Sequence, residues 1–316
     1  MASLKETKER IASVKSTLKI TSAMKMVASA KLHKAQSAIE NMIPYERKLQ
    51  EMLQLLLASL AASGGQYSSN RLTSFDPTAS GPPSYVAEGG TGLSCTAATG
   101  TSVAVVAISS NSSLCGGFNS NVIRETRNRA AQLEAAGETV EIIAVGKKMA
   151  EAMKKIGYPS AKDLSDLIAH PSYQSASALA RQLASAYNDG TYSRIELIYN
   201  HFVSTSTQKV LDETYLPMDI ASAVQQESTS AVPEDIIHEP SAEEMLAGLR
   251  PQVLALRIYT VVLDSLAAEH AARTVAMQTA TENGENILQE LTLEYNKGRQ
   301  QKITNEILDI VGGSMQ

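Results

Sequence analysis

Both ends of this 316-residue chain are long, Ala-rich runs in which apolar and small residues recur at heptad-like spacing, while the middle alternates strand-like and helix-like pieces. A globular unit left at both ends by long helices lets them fold back on each other as an antiparallel shaft. The pattern points to mechanical coupling rather than to bond chemistry.

The N-terminal run opens on Ser3-Leu4-Lys5-Glu6, a capping-box pattern in which the hydroxyl and the carboxylate satisfy orphan backbone donors at the helix start. Leu4, Ile11, Val14, Leu18, Thr21, Met24, Ala28 and Leu32 then keep one stripe on one face. Roughly 55 residues at about 1.5 Å each make a rod near ~80 Å. Pro44 is expected to kink this rod without ending it, because Leu49, Leu53, Leu56 and Leu60 continue the stripe.

The C-terminal run mirrors the first. Ser241-Ala242-Glu243-Glu244 repeats the capping pattern, and Leu246, Leu249, Val253, Leu256, Tyr259, Leu263 and Leu266 hold helical spacing across Pro251. Ile287, Leu291, Tyr295, Ile303, Ile307 and Ile310 carry the stripe towards the end. Gly284 and Gly298 each cost about 1 kcal/mol of helix propensity relative to Ala, which suggests close approach of another backbone or local flexibility.

Between the helices, 102–109, 139–145 and 194–202 read as strands, and 119–136, 147–156 and 172–188 as helices; 209–216 could add an edge strand. Alternation of this kind implies a parallel sheet with helical crossovers. The fold class is therefore α/β with long helices: an antiparallel coiled coil of the N- and C-terminal helices plus a central Rossmann-like α/β domain. The expected division is 3–60 N-terminal coiled-coil helix, 61–101 flexible insertion, 102–216 Rossmann-like domain, 217–240 flexible linker and 241–312 C-terminal coiled-coil helix. The second and fourth are rich in Gly, Ser, Thr and Pro or in polar and acidic residues.

Composition agrees with narrow helix seams rather than thick cores: 43% of residues are hydrophobic, yet only 4% are aromatic and none is Trp. A net charge of −5 gives no global reason to expect nucleic-acid binding. Two cysteines, Cys95 and Cys115, make no disulfide framework and suit a reducing compartment. No secretory signal precedes the first helix, and the longest apolar run, Met52 to Ala62, is far short of the roughly 20 residues that span a bilayer. Membrane association would come through a partner.

Motifs for chemistry are weak. Ser110 to Phe118 follows a strand and precedes a helix, where phosphate loops and nucleophile elbows occur, but it lacks their glycine and serine spacing and reads as a tight turn. Val145-Gly146-Lys147-Lys148 reads as the start of a surface helix. His33, His170, His201, His238 and His270 are scattered, so neither a metal site nor a cofactor is expected. A Cys115 nucleophile with one of them as base stays open as a small-enzyme alternative, beside that of a non-motor structural coiled coil. Lys15, Lys19, Lys25, Lys31 and Lys34 read as a basic face, either a solvated helix side or one suited to an acidic protein partner.

Longer motifs carry a specific resemblance. Ile20-Thr21-Ser22-Ala23-Met24-Lys25-Met26-Val27-Ala28-Ser29-Ala30-Lys31-Leu32 resembles the N-terminal helix of the F-type ATP synthase gamma subunit. Its C-terminal helix is resembled by three stretches: Glu269 to Met277 with Ala280-Thr281-Glu282-Asn283, Tyr295 to Gln300, and Ile303-Thr304-Asn305-Glu306. Leu114-Cys115-Gly116-Gly117-Phe118-Asn119 resembles the turn after its first central strand. Asn111-Ser112-Ser113 stands where that family usually has Asp-Arg-Gly, which weakens a charge role there, and Gly313-Ser314 replaces a Gly-Ala.

The resemblance implies a non-catalytic rotor shaft. In such a shaft the paired helices turn inside a ring of alternating alpha and beta subunits, and the foot sits on the membrane c-ring with the epsilon subunit. Proton flow through the c-ring then drives ATP synthesis, or hydrolysis drives it back. By the same resemblance Met24 and Lys25 face the acidic lever of the beta subunit, Arg299 and Gln300 meet the ring's catch loops, and Glu269 and Arg273 form a polar coupling pair. No single exposed pair, worth about 0–1 kcal/mol, should carry the torque. The implied location is the cytoplasmic face of a bacterial inner membrane, or else the mitochondrial matrix face, as a peripheral subunit.

Overall fold

A computed structural model describes residues 4–62, 102–159, 162–217, 239 and 241–314. The expectations for 61–101 and 217–240, the Ser3 cap and Cys95 fall wholly or almost wholly outside the described residues. In chain order the elements are α1 (Leu4–Ala62), β1 (Ser102–Ile108), α2 (Phe118–Ala135), β2 (Thr139–Val145), α3 (Lys147–Ile156), α4 (Ser165–Ala169), α5 (Tyr173–Asn188), β3 (Arg194–Phe202), β4 (Gln208–Leu216) and α6 (Ala242–Ser314). The strand and helix assignments match the sequence reading to within a residue or two, and α4 is an addition to it.

With 59 and 73 residues, α1 and α6 are rods of about 88 and about 110 Å. Both helices run on through their prolines, Pro44 and Pro251. At the start of α6 the Ser241 hydroxyl accepts from the Glu244 amide at 3.2 Å, the N-terminal half of the capping box.

The covered positions of α1 include Leu4, Thr7, Ile11, Val14, Leu18, Thr21, Lys25, Ala28, Leu32 and Ala35, and later Leu49, Leu53 and Leu56. Their steps alternate between three and four residues. A seven-residue repeat held this long favours a left-handed supercoil, because a straight helix would carry the stripe off the seam. On α6 the half-buried stripe runs through Thr281, Gly284, Leu288, Leu291, Tyr295 and Gly298.

The two stripes meet antiparallel. Leu4 lies against Gly298, Leu18 against Gly284, and Thr281 Oγ1 lies 3.1 Å from Thr21 Oγ1. A Cβ on Gly284 would come within 2.7 Å of Leu18 Cδ2, and one on Gly298 within 3.2 Å of Leu4 Cδ2. These glycines therefore make room for leucine side chains rather than for a second backbone.

Five stripe positions differ from expectation. Met24 is exposed and Lys25 takes its place in the seam; Ile287 is exposed and Leu288 replaces it. Ile303, Ile307 and Ile310 are all exposed, because α6 runs on past the Leu4 end of α1. The five lysines also fail to form one face: at about 100° per residue they wrap round α1.

The four-stranded sheet has the order β2-β1-β3-β4, with β1 parallel to both neighbours and β4 antiparallel to β3. Alternate residues of β1 face opposite layers. Val103, Val105 and Ala107 pack with Val122, Leu133, Met149 and Met153 of α2 and α3. Ala104, Val106 and Ile108 pack with Leu179 and Leu183 of α5, Leu167 and Ile168 of α4, and Leu254, Ile258, Val261 and Val262 of α6. The middle of α6 is thus both a shaft helix and one layer of the α/β sandwich, and most of 254–272 is buried on every side.

Part of α6 within Glu244–Val311 is apolar enough, by length and composition, to pass for a membrane span, with mean hydropathy 1.3; half of that window is buried inside this protein. Polar ties reinforce the docking of α6 on the sheet: Asp264 on α6 accepts from the Phe202 amide at 2.9 Å through one carboxylate oxygen and meets His201 Nδ1 at 2.6 Å through the other.

Candidate functional site

The turn after β1 is built from short polar side chains that fold inward. Asn119 Oδ1 accepts from the Ser110 amide at 3.1 Å, and its Nδ2 donates to Ser110 Oγ at 2.8 Å and to Cys115 Sγ at 3.2 Å. Leu114 at the tip is held at φ 68°, an uncommon conformation for a leucine, with its side chain exposed. These bonds tie the polar groups of the turn to one another. The start of α3 is likewise filled from within: Ser109 Oγ accepts from the Met149 amide and Asn111 Oδ1 from the Lys147 amide. Gly146 is required there, since at φ 105° a Cβ would lie 2.3 Å from the Ser109 carbonyl oxygen.

Cys115 is buried among Phe118, Ala268 and Ala272, and its polar contacts are Ser110, Asn119 and the Ser112 carbonyl. None of these is an acid or a base, so this turn holds no assembled nucleophile and base. Among the described residues no group of three or more His, Cys, Asp or Glu is placed to hold a metal ion.

Against this turn lies Arg273 of α6. Its Nη1 donates to Glu269 Oε1 at 2.6 Å, one helical turn back, and its Nη2 donates to Ser112 Oγ at 2.7 Å. The side chains of Arg273 and Glu269 keep only 15% and 7% of their exposure, so the pair is not the exposed one expected from sequence. Burial raises the Glu269 carboxyl above its usual range, and Arg273 and Lys31 of α1 pull it back. Beside them burial, together with Arg273 and Lys31, holds His270 down at about 4, which keeps its imidazole neutral.

The six expected residues thus fall into three places. Glu269 and Arg273 form a buried knot between shaft and α/β domain; Met24 is exposed on α1, and Lys25 is half-buried in the seam. Arg299 and Gln300 are exposed at the start of the α6 extension. The sequence reading missed Ser112, whose hydroxyl accepts from Arg273. Its partner is 161 residues away, so no local pattern announces the contact.

A family model described as ATP synthase matches residues 3–315 of the chain. The ATP synthase gamma chain of Bacteroides thetaiotaomicron is 49% identical over 325 residues, covering all of both chains. That of Flavobacterium johnsoniae is 41% identical over 319 residues, covering 99% of this chain and 98% of its own. Among solved structures, one chain from the Euglena gracilis mitochondrial ATP synthase with OSCP, F1 and c-ring superposes with a TM-score of 0.60 at 20% identity. It covers 99% of this chain and 93% of that one. A chain of the Tetrahymena thermophila mitochondrial ATP synthase central stalk and c-ring matches 83% of this chain and 99% of its own, with a TM-score of 0.54 and 24% identity. At such identities these structures speak for the shared fold.

Proposed function

This chain belongs to the ATP synthase family as one of its gamma chains, and from that premise we propose that it is the central-stalk rotor shaft of an F-type proton-translocating ATP synthase. It performs no bond chemistry and needs no cofactor of its own. Its partners are a ring of alternating alpha and beta subunits, an epsilon subunit and a membrane c-ring. Through the c-ring it is held peripherally at the cytoplasmic face of a bacterial inner membrane; the bacterial relatives favour this over a mitochondrial matrix face.

The observation that carries this reading is the asymmetric shaft. Two heptad-paired helices form a rod with an α/β domain on one side, and one helix, from Arg299 on, runs past the pair as an exposed tip. A rod of this shape presents a different surface to each beta subunit as it turns. Whichever beta conformation fits the surface presented is the one populated, so rotation converts into a cycle of affinities. Contact is spread along the shaft, with Met24 and Lys25 on α1, Arg299 and Gln300 on the tip, and the Glu269–Arg273 knot holding the shaft to its domain.

ATP hydrolysis by an alpha-beta preparation, measured with and without this chain and with the chain alone as control, tests the proposal. Strong stimulation confined to the mixture is expected. Absence of both stimulation and a stable complex would sink the rotor reading in favour of a scaffold, and turnover by the chain alone would favour an enzyme.

A further inference from the structure

Arg257 on α6 sits where three parts of the chain meet. Its guanidinium pairs through Nη2 with Glu213 of β4 and through Nη1, at 3.4 Å, with Glu46 of α1. Glu213 also accepts from Tyr199 Oη of β3 at 3.2 Å, and the nearby Leu254 carbonyl accepts from the buried Tyr215 Oη at 3.1 Å. A continuous polar chain, Tyr199 to Glu213 to Arg257 to Glu46, thereby crosses from the sheet through α6 to α1. Burial opposes the Arg257 charge, yet Glu213, Tyr199 and Glu46 hold its pKa above the ordinary value. The planar guanidinium is suited to gripping two carboxylates at once.

The position of this junction is as telling as its contacts. Towards one end the two helices lean on each other through Leu49, Leu53, Leu56, Leu246 and Leu249, a two-helix stem. Towards the other, from Leu254 on, α6 is a layer of the α/β sandwich. Arg257 is at the root of the stem. A seam of leucines resists separation of its helices but supplies little directional resistance to small rotations, whereas charge-assisted hydrogen bonds are directional.

We propose that Arg257 is a positioning residue of the rotor: by gripping Glu46 and Glu213 together it fixes the angle of the two-helix stem against the α/β domain, so that twist passes between them without slip. This rests on the rotor reading above. Arg257 touches no reacting group, and its effect should appear in coupling rather than in hydrolysis itself.

The test uses the whole enzyme in lipid vesicles, reading ATP-driven proton uptake with a pH-sensitive dye and dividing it by ATP hydrolysis in the same vesicles. Hydrolysis by the detached alpha-beta complex with this chain is measured beside it. Arg257→Gln should lower the uptake-to-hydrolysis ratio by about twofold or more, the scale of a partly exposed ion pair, and leave detached hydrolysis unchanged. Glu46→Gln should act in the same direction, the double variant should be no worse than Arg257→Gln alone, and Arg257→Lys should recover part of the ratio. An unchanged ratio in Arg257→Gln overturns the proposal. So does a fall matched by an equal loss of detached hydrolysis, which would mark a folding residue only. Failure of the unaltered chain to support coupled uptake overturns the rotor reading itself, before any variant is compared.

Discussion

Arg273 of α6 and Ser112 of the turn after β1 share a 2.7 Å hydrogen bond, so the guanidinium that neutralises Glu269 also fastens the α/β domain to the shaft. Removing either charge leaves the other buried without its partner. Arg273→Ala should therefore destabilise the chain by about 3 kcal/mol, more than an exposed pair would cost, and the Glu269→Ala/Arg273→Ala double variant should lose less than the two single losses added. Ser112→Ala should cost about 1 kcal/mol. Denaturant unfolding of the purified variants measures all three; a loss below about 0.5 kcal/mol for Arg273→Ala would return the pair to the exposed class.

Gly284 faces Leu18 across the seam at a distance that leaves no room for branching. Gly284→Val should destabilise the helix pair by about 1–3 kcal/mol by overpacking, despite the gain in helix propensity. Leu18→Ala in the same chain should restore most of the loss, because the three atoms nearest an added Cβ all belong to that side chain. Thermal melting of the single and double variants decides it, and additive losses would place the strain elsewhere.

His270 links stability to pH. Its folded-state value of about 4 lies below that of a free histidine at 6.5, so the unfolded chain binds the extra proton first. The stability it contributes is present above about pH 6.5 and is lost as pH falls towards about 4. Glu269, raised by burial, contributes with the opposite slope in the acid range, so the comparison needed is between the unaltered chain and His270→Gln. The variant should show a flatter fall in melting temperature between about pH 6.5 and about pH 4; parallel curves would clear His270 of the effect.

Arg299 is exposed on the α6 tip, where its replacement should leave folding unchanged. If coupling is spread along the shaft, Arg299→Ala should reduce stimulation of alpha-beta ATP hydrolysis by no more than about fivefold, an interaction of roughly 1 kcal/mol. Complete loss of rotation with assembly intact would concentrate the torque at this residue and refute the distributed view.

Much of this architecture was legible beforehand, since periodicity is a local property. The alternation in 102–108 and 139–145 and the three-and-four spacing of Leu4 to Leu32 announce strands and a seam without knowledge of partners. The errors also have physical causes. Met24 looks like a better seam residue than Lys25, but a lysine can bury its stem in a seam and carry its charge out to water. Ile303, Ile307 and Ile310 keep a helical stripe where α6 has outrun α1, because the spacing of apolar residues marks a helix face and not what lies against it. Contacts such as Arg273 with Ser112 join residues far apart in the chain, and spacing alone carries no trace of them.

The stretch of α6 from 254 to 272 serves the helix seam on one side and the sheet on the other. A change of side chain there is judged by two cores at once, and a volume acceptable to one can be refused by the other. The shaft and the domain are consequently not exchangeable cassettes: grafting either into a relative would carry half of the other's packing with it. Sequence drift should be slowest along this shared segment, and freest on the outward faces of the two rods.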